Sequence, residues 1–340
     1  MSTPVVKALK LGAKTVRKVA GHNNALERFV RDRYLKSIRA QTKKESGPGY
    51  IQHSGGNFVV LKSTKDPDTS KVGIVLRGGC DLPSIFVSAT FIRESLKGTV
   101  AIYKDVFGGQ AGASSTAQML QTLDGIPREH LEEGRRVLRL GPRTFEPHLF
   151  EPGEFTIQEF PEYGTFPKSV IILSTGSDLA RTLHRHKEHG YLVDIGGWWL
   201  NESLEKAIHN TDALEWFKRN FESVGKIKVE DFYKNMEKVI TLLRERTGAH
   251  VVVLNSLVID PLKPVHNYQQ LNQAHSRRRR DFHLALVELS AKLNFHIVDV
   301  DRALKKQGVR EQVDFAHFPV EGMMPIAEQA YRIFKELEVV

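Results

Sequence analysis

Val72-Gly73-Ile74-Val75-Leu76-Arg77-Gly78-Gly79-Cys80-Asp81-Leu82-Pro83 decides how the rest of the chain is read. The β-branched and apolar run from Val72 to Leu76 predicts a strand, and two glycines stop it. Pro83 then supplies the fixed φ that suits the first turn of a helix. The stretch is therefore a strand–turn–helix corner, and the only cysteine of the chain stands on it. A thiol at such a corner faces backbone N–H groups and the positive end of the helix dipole, both of which favour the thiolate. An α/β enzyme carries its nucleophile in this place. The competing reading is a small buried apolar residue, the usual state of a free cysteine.

Working outward, strands are expected at Val72–Arg77, Thr99–Asp105, Ser169–Ser174, His250–Asn255 and Phe295–Val298. Helices are expected near Pro83–Leu96, Ser115–Thr122, Val229–Thr247 and Ala274–Leu293. This alternation predicts a three-layer αβα domain over residues 71–340, with a mostly parallel sheet and ligands gathered at the carboxyl ends of its strands. Residues 46–70 read as a linker plus one strand at Asn57–Lys62, the linker itself running from Lys44 to Gly56. Two excursions, at about 124–168 and 188–228, are too long for ordinary connections and read as a lid or a substrate-binding wall.

The net charge of +9 is confined to one end. Residues 1–45 hold twelve Lys or Arg against Glu27, Asp32 and Glu45, which accounts for the whole excess; the other 295 residues balance at 37 of each sign. Val5, Leu9, Ala13, Val16 and Ala20 recur at helical spacing with Lys7, Lys10, Lys14 and Arg17 on the opposite side. This basic amphipathic extension either lies on an anionic membrane surface or docks on the body. Nucleic acid is not expected, because no binding module or aromatic interleaving accompanies the charge. A single cysteine allows no intrachain disulfide, and no apolar run resembles a leader or a membrane span. A cytoplasmic protein, peripheral to the membrane at most, is the expectation.

Asp314-Phe315-Ala316-His317-Phe318-Pro319 follows the last expected strand. A carboxylate three residues before a histidine reaches across one turn to hold the imidazole tautomer, so that the ring takes a proton from a nucleophile. Phe107-Gly108-Gly109-Gln110-Ala111-Gly112 follows the second strand and either offers backbone N–H groups to an oxyanion or makes an ordinary βα turn. In this order the sites resemble the SGNH, or GDSL-type, hydrolase superfamily. Gly78-Gly79-Cys80 matches its nucleophile block with cysteine for serine, Gly109 its glycine block, and Asp314 with His317 its last block. The resemblance implies a flavodoxin-like sheet. The cysteine looks like the WcbI-type polysaccharide biosynthesis subset, which implies acyl transfer from coenzyme A to a sugar or glycolipid. The third block of that superfamily carries an asparagine, whereas this chain reads Ser174-Thr175-Gly176-Ser177-Asp178. Ser177 would donate a hydroxyl to the oxyanion, Asp178 would repel it if ionised there, and Asn201 or Asn255 would replace the amide.

The expected catalytic set is thus Cys80, His317 and Asp314, with Gly109 and Ser177 at the oxyanion. Arg277, Arg278 and Arg280, at the start of the helix after the fourth strand, would hold coenzyme A phosphates or an anionic acceptor, or else form a solvated helix start, because consecutive positions fan around a helix. Arg279 completes the run. Trp198, Trp199 and Asn201 would face the carbohydrate acceptor or the adenine, or pack within their excursion. His184, His186 and His189 read as surface histidines, and no metal site is expected. An esterase or thioesterase using the same residues, and a binding protein that keeps only the fold, are the alternatives to an acyltransferase.

Overall fold

The computed structural model describes residues 43–55, 58–65, 70–78, 82, 92–93, 96–104, 115–123, 126–138, 149–195, 203–208, 210–258, 276–308 and 320–340. Its strands are β1 (Lys43–Gly47), β2 (Tyr50–Ser54), β3 (Phe58–Ser63), β4 (Lys71–Arg77), β5 (Thr99–Lys104), β6 (Glu154–Thr156), β7 (Thr165–Ser174), β8 (Leu183–His186), β9 (Leu192–Val193), β10 (Phe221–Gly225), β11 (His250–Leu254) and β12 (His296–Val298). The helices are α1 (Thr116–Gln121), α2 (Arg128–Val137), α3 (Gly176–Ala180), α4 (Leu204–Ala207), α5 (Thr211–Asn220), α6 (Val229–Thr247), α7 (Ser276–Leu293), α8 (Val300–Lys306) and α9 (Val320–Glu336).

The main sheet runs β1-β2-β3-β5-β4-β7-β11-β12, with β6 paired to β7. Along the path from β5 to β12 every pairing is parallel, β6 joins β7 antiparallel, and β1 to β3 extend the sheet antiparallel to β5. Numbered along the chain, the five parallel strands lie in the order 2-1-3-4-5, the doubly wound flavodoxin-like order. The expected α/β fold, with a mostly parallel sheet flanked by helices, is the observed one.

Parallel strands covered on both sides need apolar residues on both faces, and these strands have them. Ile74, Leu76, Val170, Ile172, Val252 and Leu254 pack beneath Ala303 and Leu304 of α8 and Ile326, Ala330, Ile333 and Phe334 of α9. Val75, Ile171, Leu173, Val251 and Val253 face the other way, onto Phe232, Met236, Val239 and Ile240 of α6 and Phe282, Leu286 and Leu289 of α7. The register between β4 and β7 shifts at Gly73, where a Cβ would lie 2.0 Å from the Pro167 carbonyl oxygen, so only glycine fits.

Lys43 to Ser54, expected as the end of the basic extension and a linker, is a hairpin. Pro48-Gly49 makes its two-residue turn, with Gly49 at φ 88°. Polar side chains hold it in place. Arg93 donates to Gln52 Oε1 at 2.6 and 3.0 Å and to Tyr50 Oη at 3.1 Å, and pairs with Glu45 at 2.9 Å. Residues 1–42 lie outside the described residues, as does most of the expected helix at Pro83–Leu96.

The two excursions meet. β10, β8 and β9 form a second, three-stranded sheet, and α2 from the first excursion packs against it. Tyr191, Val193, Phe217 and Phe221 form its interior together with Leu131 and Leu138 from the α2 region and Ile208 after α4. This cap is fixed to the main domain through α1, where Gln121 donates to the Leu192 carbonyl at 2.9 Å and accepts from its N–H at 2.6 Å.

Candidate active site

In the 2-1-3-4-5 order the chain leaves β4 toward one edge of the sheet and β7 toward the other, opening a crevice between their carboxyl ends. On the β4 side stand Arg77, 1% exposed, and Gly78. A Cβ on Gly78 would lie 2.6 Å from Ser174 Oγ, so the turn after β4 starts directly against the last residue of β7. On the β7 side, Thr175 donates its N–H (3.2 Å) and its hydroxyl (3.3 Å) to the Leu254 carbonyl, tying this corner to the end of β11. The short helix α3 follows and carries the block that departs from the superfamily pattern.

Ser177 and Asp178 are 3% and 1% exposed, but only one of them is engaged. The Asp178 carboxylate accepts from the Thr116 N–H at 2.9 Å and from its hydroxyl at 2.7 Å, holding the first turn of α1. Burial pushes this carboxyl up to about 7, against the pull of the two Thr116 bonds and of Arg278. The expected repulsion of an oxyanion by Asp178 is therefore replaced by an anchoring role across the crevice. The partner was unreadable from local sequence, although Ser115 and Gln118 announce the start of α1 as a capping box. Ser177 Oγ, by contrast, is buried with no hydrogen-bond partner among the described residues. A buried hydroxyl without a partner is unfavourable in a settled interior.

Asn255, weighed as the replacement amide, is fully used. Its Oδ1 accepts from Val300 N–H at 2.7 Å, and its Nδ2 donates to Asp299 Oδ1 at 2.8 Å and lies 3.2 Å from His283 Nδ1. Asp299 in turn caps α8 through Arg302 N–H. This junction closes the ends of β11 and β12 and leaves neither polar atom of the Asn255 amide free for a ligand.

The arginine run divides by direction. Arg278, expected to hold phosphate, instead donates to the carbonyls of Leu179 (2.8 Å), Asp178 (2.7 Å) and Ile227 (2.5 Å), with its guanidinium over the Phe282 ring. Arg279 is buried and donates to the Leu257 carbonyl. Arg277 and Arg280 point to solvent, Arg277 3.9 Å from Asp281. His184 and His186, expected on the surface, are buried in the cap. Among the described residues, no group of three or more His, Cys, Asp or Glu is placed to hold a metal ion, and no helix is long and apolar enough to cross a membrane. Cys80, Gly109, Asp314, His317, Trp198, Trp199 and Asn201 lie outside the described residues.

No family model matches this chain, and no curated protein matches it. Solved structures do. A phospholipase A1 from Streptomyces albidoflavus is similar with a TM-score of 0.37 and 9% identity, over 77% of this chain and 99% of that one. A mutant acetyl-xylooligosaccharide esterase from Geobacillus Stearmophilus gives 0.38 and 7%, over 78% and 93%. A protein described as a GDSL-like lipase, from Parabacteroides merdae, gives 0.37 and 10%, over 81% and 100%. The fold assignment rests on strand order and direction within this chain.

Proposed function

We propose that this protein is a cysteine-dependent acyltransferase of the SGNH type, moving an acyl group from a coenzyme A thioester to a sugar or glycolipid hydroxyl in cell-surface polysaccharide synthesis. The observation that carries the reading is Ser177. At the carboxyl-edge crevice where this fold binds ligands, its buried hydroxyl has no partner among the described residues, while the neighbouring Asp178 and the alternative Asn255 are engaged. It is the donor that a charge developing in the crevice would find unoccupied.

In the proposed reaction, His317, oriented by Asp314, takes the proton of Cys80. The thiolate attacks the thioester carbonyl carbon, and the carbonyl oxygen becomes an oxyanion held by the N–H groups of Cys80 and Gly109 and by the Ser177 hydroxyl. The intermediate collapses with loss of the coenzyme A thiolate, which takes the proton from His317. The acceptor hydroxyl then gives its proton to His317 and attacks the acyl-cysteine, and the thiol is regenerated. Exchange of one thioester for another is nearly isoenergetic, which suits cysteine to this donor. Arg277 and Arg280 would meet coenzyme A phosphates, Trp198, Trp199 and Asn201 the acceptor, and residues 1–45 an anionic membrane surface.

Incubation with a panel of acyl-coenzyme A thioesters, read by intact-protein mass spectrometry, tests this. The expected result is an acyl adduct that is lost in Cys80→Ala and forms about 10²–10³-fold more slowly in Ser177→Ala. No mass gain with any donor, or an adduct that persists in Cys80→Ala, overturns it. Free acid released equally fast with and without a sugar acceptor would assign the same residues to a hydrolase.

A further inference from the structure

Three imidazoles form a column inside the cap. His130 of α2 lies on His189 of the β8–β9 turn with ring centroids 3.5 Å apart and planes 16° from parallel. His189 lies on His186, the last residue of β8, at 4.6 Å and 19°. His186 continues onto Tyr191 at 4.9 Å, with Phe221 edge-on at 4.9 Å and Trp216 tilted beside it at 6.3 Å. The column joins segments that arrive separately, since α2 belongs to the first excursion and the β8–β9 turn is the start of the second. We propose that this stack is a pH-sensitive latch that releases α2 from the cap sheet on acidification, while the main sheet stays folded.

Hydrogen bonding fixes the protonation state in the closed form. His186 Nδ1 accepts from the backbone N–H of His189 at 3.1 Å and of Glu188 at 3.3 Å. An acceptor nitrogen carries no proton, so a proton arriving there displaces both bonds and with them the turn that holds His189 in place. The charged groups facing His186 are His130 and Glu133 from α2 and Glu188 and His189 from the turn; Tyr191, Trp216 and Phe221 present rings. Burial is the largest influence and disfavours the imidazolium, followed by the like charge of His189; Glu188 and Glu133 pull the other way, and His130 disfavours it again. The net direction is down from the ordinary 6.5.

The sign follows. A histidine held below its unfolded value contributes stability that is complete above about pH 6.5 and is lost as the pH falls through the lower folded value. Protonating the column also sets like charges face to face at stacking distance, where water cannot separate them. Movement there is connected to the crevice by hydrogen bonds, from Leu192 to Gln121, and from Thr116 to Asp178 beside Ser177.

Hydrogen exchange of the full chain at pH 7.5 and 5.5, corrected for intrinsic rates, tests the latch. The expected result is a loss of protection of at least about tenfold at pH 5.5 in residues 128–137 and 187–190, with α6 unchanged. The His186→Phe variant keeps a ring in the column but has no acceptor nitrogen to protonate, so its protection should not fall further between pH 7.5 and 5.5. Retained protection in the parent, or equal loss in parent and variant, overturns the proposal. Should the variant prove unfolded at pH 7.5, the NMR titration of His186 in the parent decides instead. A midpoint below 6.5 that coincides with opening supports the latch, and one that does not coincide overturns it.

Discussion

In the parallel half of the main sheet, alternate residues of one strand serve two different cores: Ile74 and Leu76 lie under α8 and α9, while Val75 between them lies under α6 and α7. The cap has a single one-sided interior, built from Tyr191, Phe217, Phe221 and a few aliphatic residues brought from two separate excursions. Strands buried on both faces are held by summed apolar area, about 25 cal/mol per Å². The cap depends on individual rings and on the Gln121–Leu192 pair that fastens it to α1. The first arrangement is expected to open only with global unfolding, and the second, with its smaller interior, to open by itself.

The comparison breaks first at Phe232. This residue of α6 is fully buried and stacks on Phe282 at 4.5 Å, so Phe232→Ala should lower global stability by about 3–5 kcal/mol, seen as a shifted urea midpoint with unchanged slope. Phe217 is its counterpart in the cap, equally buried and stacked on Phe221 at 4.6 Å. Phe217→Ala removes the same atoms, yet its global shift should stay under about 2 kcal/mol, with the lost protection confined to β8, β9 and β10. Equal shifts for the two variants would mean that cap and sheet unfold as one unit.

The sequence exposed the first region far better than the second, for the same physical reason. Continuous apolar, β-branched runs announce β4, β5, β7 and β11 locally, and α6 occupies the span Val229–Thr247 that its 3.6-residue pattern predicts. The β1–β2 hairpin escaped because its strands are short and polar, and because Arg93 rather than an apolar face retains it; the Pro48-Gly49 turn was the available signal. In the crevice, Ser177 was singled out by its place in the third block, and its buried hydroxyl without a partner among the described residues supports the proposed donor role. The role of Asp178 was not legible, since Thr116 lies 62 residues away. The histidine column was also hidden, because His186 and His189 are drawn in by partners from other segments.

The smallest effect expected joins the two regions, at the carboxylate that fixes α1. The Asp178 carboxyl titrates near about 7 in the folded chain against an ordinary 3.8, so between these values the folded state binds more protons than the unfolded one. Its contribution to stability is complete below the ordinary value and is lost as the pH rises through about 7. Asp178→Asn keeps an oxygen to accept from Thr116 but cannot ionise. The variant should be less stable than the parent near pH 5, and the gap should close or reverse by pH 8. Urea midpoints of parent and variant at pH 5, 6, 7 and 8 measure this. Taking the difference cancels the opposite slope from His186, which both proteins share. A gap that stays constant across the range would mean that the Thr116 donors and Arg278 keep the carboxylate ionised throughout, making the anchor between the crevice and the cap a permanent charge.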